Sequence, residues 1–133
     1  MKNKVALVCS NYYENITEEL INGAKDKLDP SFDVEVFLVD GAWELIYKIN
    51  QLSKNNSFDK FIAIGVIVKG DTDHYEYISK SVADGLINLT IHNNIYIANC
   101  VLNVLNLKQA NERISDNKNK GSEAATALNN LFL

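Results

Sequence analysis

Short, continuous apolar runs alternate along this chain with longer segments in which apolar side chains return every three or four residues. The first run, Val5-Ala6-Leu7-Val8-Cys9, predicts a strand covered on both faces, closed by a polar Ser10-Asn11 turn. From Asn15, a good N-cap residue, Ile16, Leu20, Ile21, Ala24 and Leu28 fall near one helical stripe. Glu18 and Glu19 suit the positive end of that helix, and Asp29-Pro30 stops it. Val34 to Val39 predicts a second strand. After Asp40-Gly41 a second helix runs to about Lys54, with Leu45, Ile46, Ile49 and Leu52 facing inward, and Asn55-Asn56-Ser57 reads as a turn. Phe61 to Val68 is the most strongly apolar run and predicts the central strand; a helix over about Asp73 to His92 carries Ile78, Val82, Leu86 and Leu89. Ile95 to Leu102 predicts a fourth strand, Leu107 to Ile114 a short helix, and the segment from Ser122 a last helix burying Ala124, Ala125, Leu128 and Leu131.

Four repeats of strand and helix predict a four-stranded parallel sheet with helices on both faces. That is a three-layer α/β/α fold of flavodoxin-like topology, formed by residues 1–133 as a single domain. Such sheets bind ligands beyond the carboxyl ends of their strands, so the candidate chemistry lies there.

Composition narrows the function. A chain of 133 residues that is 47% hydrophobic can bury one core and not two. A net charge of −4 argues against nucleic acid as a partner, because phosphate-backbone affinity needs clustered Lys and Arg. Cys9 and Cys100 each sit in an apolar run and read as small core residues, leaving neither a disulfide framework nor a metal site to expect. With no signal-peptide pattern at the start and no apolar stretch of about 18 residues, the chain is expected to be cytoplasmic and to have no membrane partner.

The third strand end is the richest. Lys69-Gly70-Asp71-Thr72-Asp73-His74 delivers the chain into a helix whose first amides point outward, a natural anion cradle, with Gly70 allowing close approach and Lys69 adding charge. His74 stands in the first turn beside that cradle. Imidazole titrates near neutrality and exchanges protons in both directions, although His74 also reads as a plain surface residue and Asp71 and Asp73 as helix caps. At the second strand end, Gly41-Ala42-Trp43-Glu44 offers backbone amides, an indole and a carboxylate able to accept hydrogen bonds from a polyol. Glu44 also reads as an ordinary first-turn acid and Trp43 as core. Tyr12 or Tyr13, in a polar loop after the first strand, can stack on a flat heterocycle. Arg113 and Lys120 flank a polar loop, Ser115 to Asn119, and Arg113 can hold a phosphate in bidentate fashion; taken alone, each also reads as a solvated cation.

Taken together, Ser10-Asn11-Tyr12, Gly41-Ala42-Trp43-Glu44, Gly65 through Lys69-Gly70-Asp71-Thr72-Asp73-His74-Tyr75, Gln109-Ala110-Asn111-Glu112-Arg113 and Asn119-Lys120-Gly121-Ser122-Glu123-Ala124-Ala125 resemble the lumazine synthase family, in the family's order and over nearly the whole chain. The resemblance implies that Tyr12 stacks on a pyrimidine and that Ala42, Trp43 and Glu44 hold its ribityl chain and ring. It further implies that Val66, Ile67 and Val68 contact the ring through their backbone and that Asp71 and Thr72 form a phosphate-side loop. His74 matches the proton-transfer residue. Arg113 matches a phosphate-binding arginine given by a neighbouring subunit, and Lys120 is a further phosphate candidate.

The implied reaction is the 6,7-dimethyl-8-ribityllumazine synthase reaction, a transferase step and the penultimate one of riboflavin biosynthesis. The 5-amino group of 5-amino-6-(D-ribitylamino)uracil attacks the ketone of 3,4-dihydroxy-2-butanone 4-phosphate, water and phosphate leave, and ring closure with a second dehydration completes the lumazine, with no cofactor and no metal. The family's sites lie between subunits, which implies a homopentamer or an assembly of pentamers up to an icosahedral capsid, with riboflavin synthase as a further partner. Departures are also visible. Asn99 stands where the neighbouring subunit usually gives an aromatic, Lys69 replaces a common Arg, and Asp40 and Ile46 replace prolines. The chain begins almost at its first strand, without the extension that adds a strand to a neighbour in many relatives, which leaves assembly size open. Three rival readings remain: an archaeal-type riboflavin synthase paralogue, a non-catalytic flavin- or lumazine-binding assembly protein, and a flavodoxin-like or receiver-like binding module. A receiver would need an acidic pair where Ser10-Asn11 stands.

Overall fold

The computed structural model of the chain describes residues 3–55, 58–72 and 74–133. Four strands, β1 (Lys4–Ser10), β2 (Asp33–Val39), β3 (Lys60–Val68) and β4 (Tyr96–Val104), form one sheet in the order β2-β1-β3-β4, every pair parallel. Parallel neighbours need crossovers, and helices supply them: α1 (Glu14–Lys27), α2 (Leu45–Lys54, preceded by a 3-10 turn over Ala42–Glu44) and α3 (His74–Asn93). After β4 come α4 (Leu107–Glu112) and α5 (Lys120–Phe132).

Strand alternation divides the core into two layers. Val5, Leu7 and Cys9 of β1, with Ile62, Ile64 and Val66 of β3, face α1 and α5, where Leu20, Ala24 and Leu128 are fully buried. Ala6 and Val8, with Phe61, Ala63 and Ile67, face α2 and α3, where Leu45, Ile49 and Val82 meet them. Burying one such side chain contributes about 1.5–3 kcal/mol, so these two layers supply the main force holding the helices to the sheet. β1 and β3 are continuous apolar runs because they are interior strands. The edge strands show their position in polar or open residues: Glu35 and Leu38 on β2, Asn99 and Asn103 on β4 are exposed.

The expected three-layer class, the interior place of β3 and the stop at Asp29-Pro30 agree with this structure. Some boundaries differ. α1 begins at Glu14, with Tyr13 at its cap position and its carbonyl taking the Thr17 amide at 3.0 Å, so Asn15 is an exposed helical residue and not the N-cap. α5 begins at Lys120, two residues before the expected Ser122, because the Asn119 side chain accepts the Ser122 amide at 3.1 Å and caps the helix earlier. The short helix closes at Glu112 and not Ile114, and β4 runs from Tyr96 to Val104, shifted from the expected Ile95 to Leu102. Leu131, expected inside, is 58% exposed, since the buried stretch of α5 ends at Leu128 and the last turn runs past it. Asp73, and Asn56 and Ser57 of the expected turn, lie outside the described residues. Among those described, no helix is long and apolar enough to cross a membrane.

Candidate functional site

Three strand ends converge on one cavity. At the end of β1, the carbonyl of the buried Ser10 accepts from Thr17 Oγ1 at 2.8 Å, and the Asn11 amide donates to the Val39 carbonyl at 2.8 Å. The chain therefore leaves the sheet in a fixed turn that carries Tyr12 outward. Tyr12 is 74% exposed and Trp43 61%, so neither ring serves the core. Tyr13 meets Tyr12 edge-on, ring centroids 4.9 Å apart, which steadies the outer ring at little entropic cost.

At the second strand end the 3-10 turn is closed from both sides: the Gly41 amide donates to Glu44 Oε1 at 2.9 Å, and the Glu44 amide donates to the Gly41 carbonyl at 3.1 Å. Glu44 thus performs the capping task open to it from its position, committing one carboxylate oxygen. Closing this turn holds Ala42 and Trp43 at the mouth of the sheet.

At the third end, Val66 and Ile67 are buried and Val68 half-buried, while Lys69, Gly70, Asp71 and Thr72 are exposed. The Lys69 amide donates to the Val104 carbonyl at 2.9 Å, extending the β3–β4 pairing to the edge of the loop. α3 then opens at His74, an exposed residue whose amide meets Thr72 Oγ1 at 3.3 Å. One amide of the expected anion cradle is therefore occupied by the chain's own hydroxyl. A Cβ on Gly70 would meet nothing within 4 Å, so this glycine keeps the approach to the loop open.

Tyr12, Ala42, Trp43, Val66, Ile67, Val68 and His74 together line a cavity of about 610 Å³, within the range of small-molecule sites. Glu44 adjoins it through Trp43 and Thr72 through His74; Asp71 sits in the exposed bend beside it. Tyr13, Gly41 and Ile78 complete the walls. Ile78 was legible only as one residue of a helical stripe, because nothing in the stripe distinguishes a residue under the sheet from one at its rim.

The remaining predicted residues are elsewhere. Asn99, Arg113 and Lys120 line a second cavity of about 410 Å³ along the free edge of β4 and α5, which shares no lining residue with the first. There Asn99 Oδ1 accepts the Val101 amide at 2.9 Å and Asn103 Nδ2 donates to the Val101 carbonyl at 3.1 Å. Two asparagines four apart on one strand face thus satisfy backbone groups of the unpaired edge. Asn103 was not singled out in the sequence; its spacing of four from Asn99, which puts both on one strand face, is the signal that could have found it. Arg113 is half-buried, its Nη1 donating to the Gln109 carbonyl at 2.8 Å, and Lys120 Nζ lies 3.1 Å from Glu123 Oε1.

Cys9 and Cys100 are buried free thiols, each pushed up to about 12, chiefly by burial, with the Cys100 and Glu123 charges adding respectively. Neither is a nucleophile at neutral pH.

Comparison with known proteins is consistent across the chain. A family model described as 6,7-dimethyl-8-ribityllumazine synthase matches residues 2–132. Similar proteins carrying that description come from Limosilactobacillus reuteri (33% identical, covering 97% of this chain and 85% of the relative), Buchnera aphidicola (38%, covering 96% and 84%) and Zymomonas mobilis (34%, covering 97% and 94%).

Proposed function

The chain belongs to the 6,7-dimethyl-8-ribityllumazine synthase family, and on that premise we propose that it condenses 5-amino-6-(D-ribitylamino)uracil with 3,4-dihydroxy-2-butanone 4-phosphate, releasing phosphate and two waters. The observation that carries this reading is the convergence of Tyr12, Trp43, the β3 end and His74 on one cavity at the carboxyl edge of the sheet.

In this reading Tyr12 and Trp43 provide faces for the flat pyrimidine, and the Val66–Val68 segment borders its edge. His74 moves protons as the 5-amino group adds to the ketone and water leaves. The same imidazole, at the start of α3, lies near the amides and Thr72 that favour negative charge as phosphate departs. Orientation of two substrates contributes several kcal/mol beyond proton transfer, which is why shaped walls matter as much as the histidine.

The half-site that holds phosphate is formed by Arg113 and Lys120 of the second cavity. Because one chain keeps the two cavities apart, the complete site joins the first cavity of one subunit to the second of its neighbour, in a ring of the homopentamer type. An apolar surface beyond what one chain can cover supports this: Tyr77, Ile87 and Ile91 of α3, with Leu105 and Leu107 after β4, are 46–71% exposed. The enzyme acts in the cytoplasm as a single domain.

The test is to mix purified protein with both substrates and follow the fluorescence of the lumazine against the slow uncatalysed reaction. Acceleration supports the synthase. Its absence in folded, assembled protein refutes it and directs the next trial to the lumazine alone, with riboflavin formation or simple binding as the readout.

A further inference from the structure

We propose that Asn119 is a positioning residue that sets the spacing of Arg113 and Lys120, and through them the grip of the second cavity on the keto-phosphate. The inference rests on the reading of that cavity as the phosphate half-site. Arg113 and Lys120 both line it, yet six residues of chain separate them, most of them exposed. A loop of that kind leaves two cations free to drift apart unless its ends are tied.

The ties meet at Asn119. The Lys120 amide donates to the Arg113 carbonyl at 2.9 Å, closing the loop at its base. Beside it, Asn119 is only 7% exposed. Its Nδ2 donates to the Ile114 carbonyl at 3.3 Å and to the Glu19 carbonyl of α1 at 3.0 Å, while its Oδ1 accepts the Ser122 amide at 3.1 Å. One carboxamide thus joins the residue after Arg113, the residue before Lys120, the first turn of α5 and the backbone of α1. Two glycines make room for it. A Cβ on Gly23 would collide with the Asn119 carboxamide, and one on Gly121 would collide with the Leu20 carbonyl, so α1 and α5 close around this side chain. Asn119 does not line the phosphate cavity. Its effect passes through the two cations, which line one cavity and whose backbones are joined at the closed base of the loop.

Asn119→Ala and Asn119→Ser in the full assembled protein test this. Ser keeps an acceptor for the Ser122 amide, and so the cap of α5, but not the two donations to Ile114 and Glu19; it remains readable if the Ala variant fails to fold. Both variants are expected to raise the KM for the keto-phosphate about 10–100-fold, the scale on which small misplacements of binding groups act, and to leave the KM for the pyrimidine in place. Inorganic phosphate, used as a competitive inhibitor, should weaken by the same factor. A folded Ser variant with the wild-type KM for the keto-phosphate overturns the proposal, and so does an equal rise for both substrates, which marks general loosening. If the wild type itself neither turns over nor binds phosphate, it is the half-site reading that fails, a result distinct from either of these.

Discussion

Gly121→Ala places one methyl group where the structure has no space for it. The new Cβ would overlap the Leu20 carbonyl oxygen of α1 and come within 2.9 Å of the Leu20 carbonyl carbon and of Asn119 Oδ1. Two of these three atoms are backbone, so relief requires α5 to back away from α1. Overpacking of a rigid contact costs about 1–3 kcal/mol, and displacing Asn119 from the α5 cap adds about 1 kcal/mol. Ala is the better helix former by about 1 kcal/mol, which offsets only the second of these. The net expectation is a loss of about 2 kcal/mol, a fall in urea midpoint of about 1 M for a slope of about 2 kcal/mol per molar. Unfolding followed by far-ultraviolet circular dichroism at fixed protein concentration reads it, because an assembly's stability depends on concentration. A Gly121→Ala protein as stable as wild type, or more stable, would show that helix propensity outweighs the collision and that α1 and α5 are not held by close backbone approach.

Three further outcomes follow from the site. His74→Ala should lower kcat about 10²–10⁴-fold, leaving turnover measurable because the cavity still orients the substrates; an unchanged rate removes His74 from proton transfer. Trp43 is the only tryptophan and borders the first cavity, so adding the pyrimidine alone should change its emission, and Tyr12→Ala should weaken that titration; silent emission at saturation would move the ring out of this cavity. Cys9 and Cys100, whose folded values are raised from 9.0 to about 12, should resist a thiol reagent in native protein and react once it unfolds. The sign is that of an acid held protonated by the fold: their contribution to stability is full below about pH 9 and is lost as pH rises toward 12. Rapid labelling of native protein at neutral pH would contradict their burial.

Local chemistry made the element order legible. Runs such as Val5 to Cys9 and Phe61 to Val68 can satisfy a continuous apolar pattern only as interior strands, and α1 and α2 carry stripes of the helical period. Boundaries were less legible where the deciding hydrogen bond spans the chain or comes from backbone, as at α5, whose cap Asn119 also bonds to α1, and at α1, which needs no side-chain cap at all. Glu44 shows the same limit: sequence left a ligand-binding carboxylate and an ordinary first-turn acid as two readings, and only the Gly41 contact shows that the carboxylate caps its turn.

From sequence alone come the parallel α/β class and the residue types of the site, because both follow from patterns within about twenty residues and from motifs shared with a family. Tertiary structure decided which of those residues share a cavity. Tyr12, Trp43 and His74 meet because β1, β2 and β3 end at one edge of the sheet, whereas Asn99, Arg113 and Lys120 fall on a separate cavity because β4 is the outermost strand and α5 lies along it. No local pattern encodes that division, since it depends on the order of strands in the sheet, which is set by the packing of all four together.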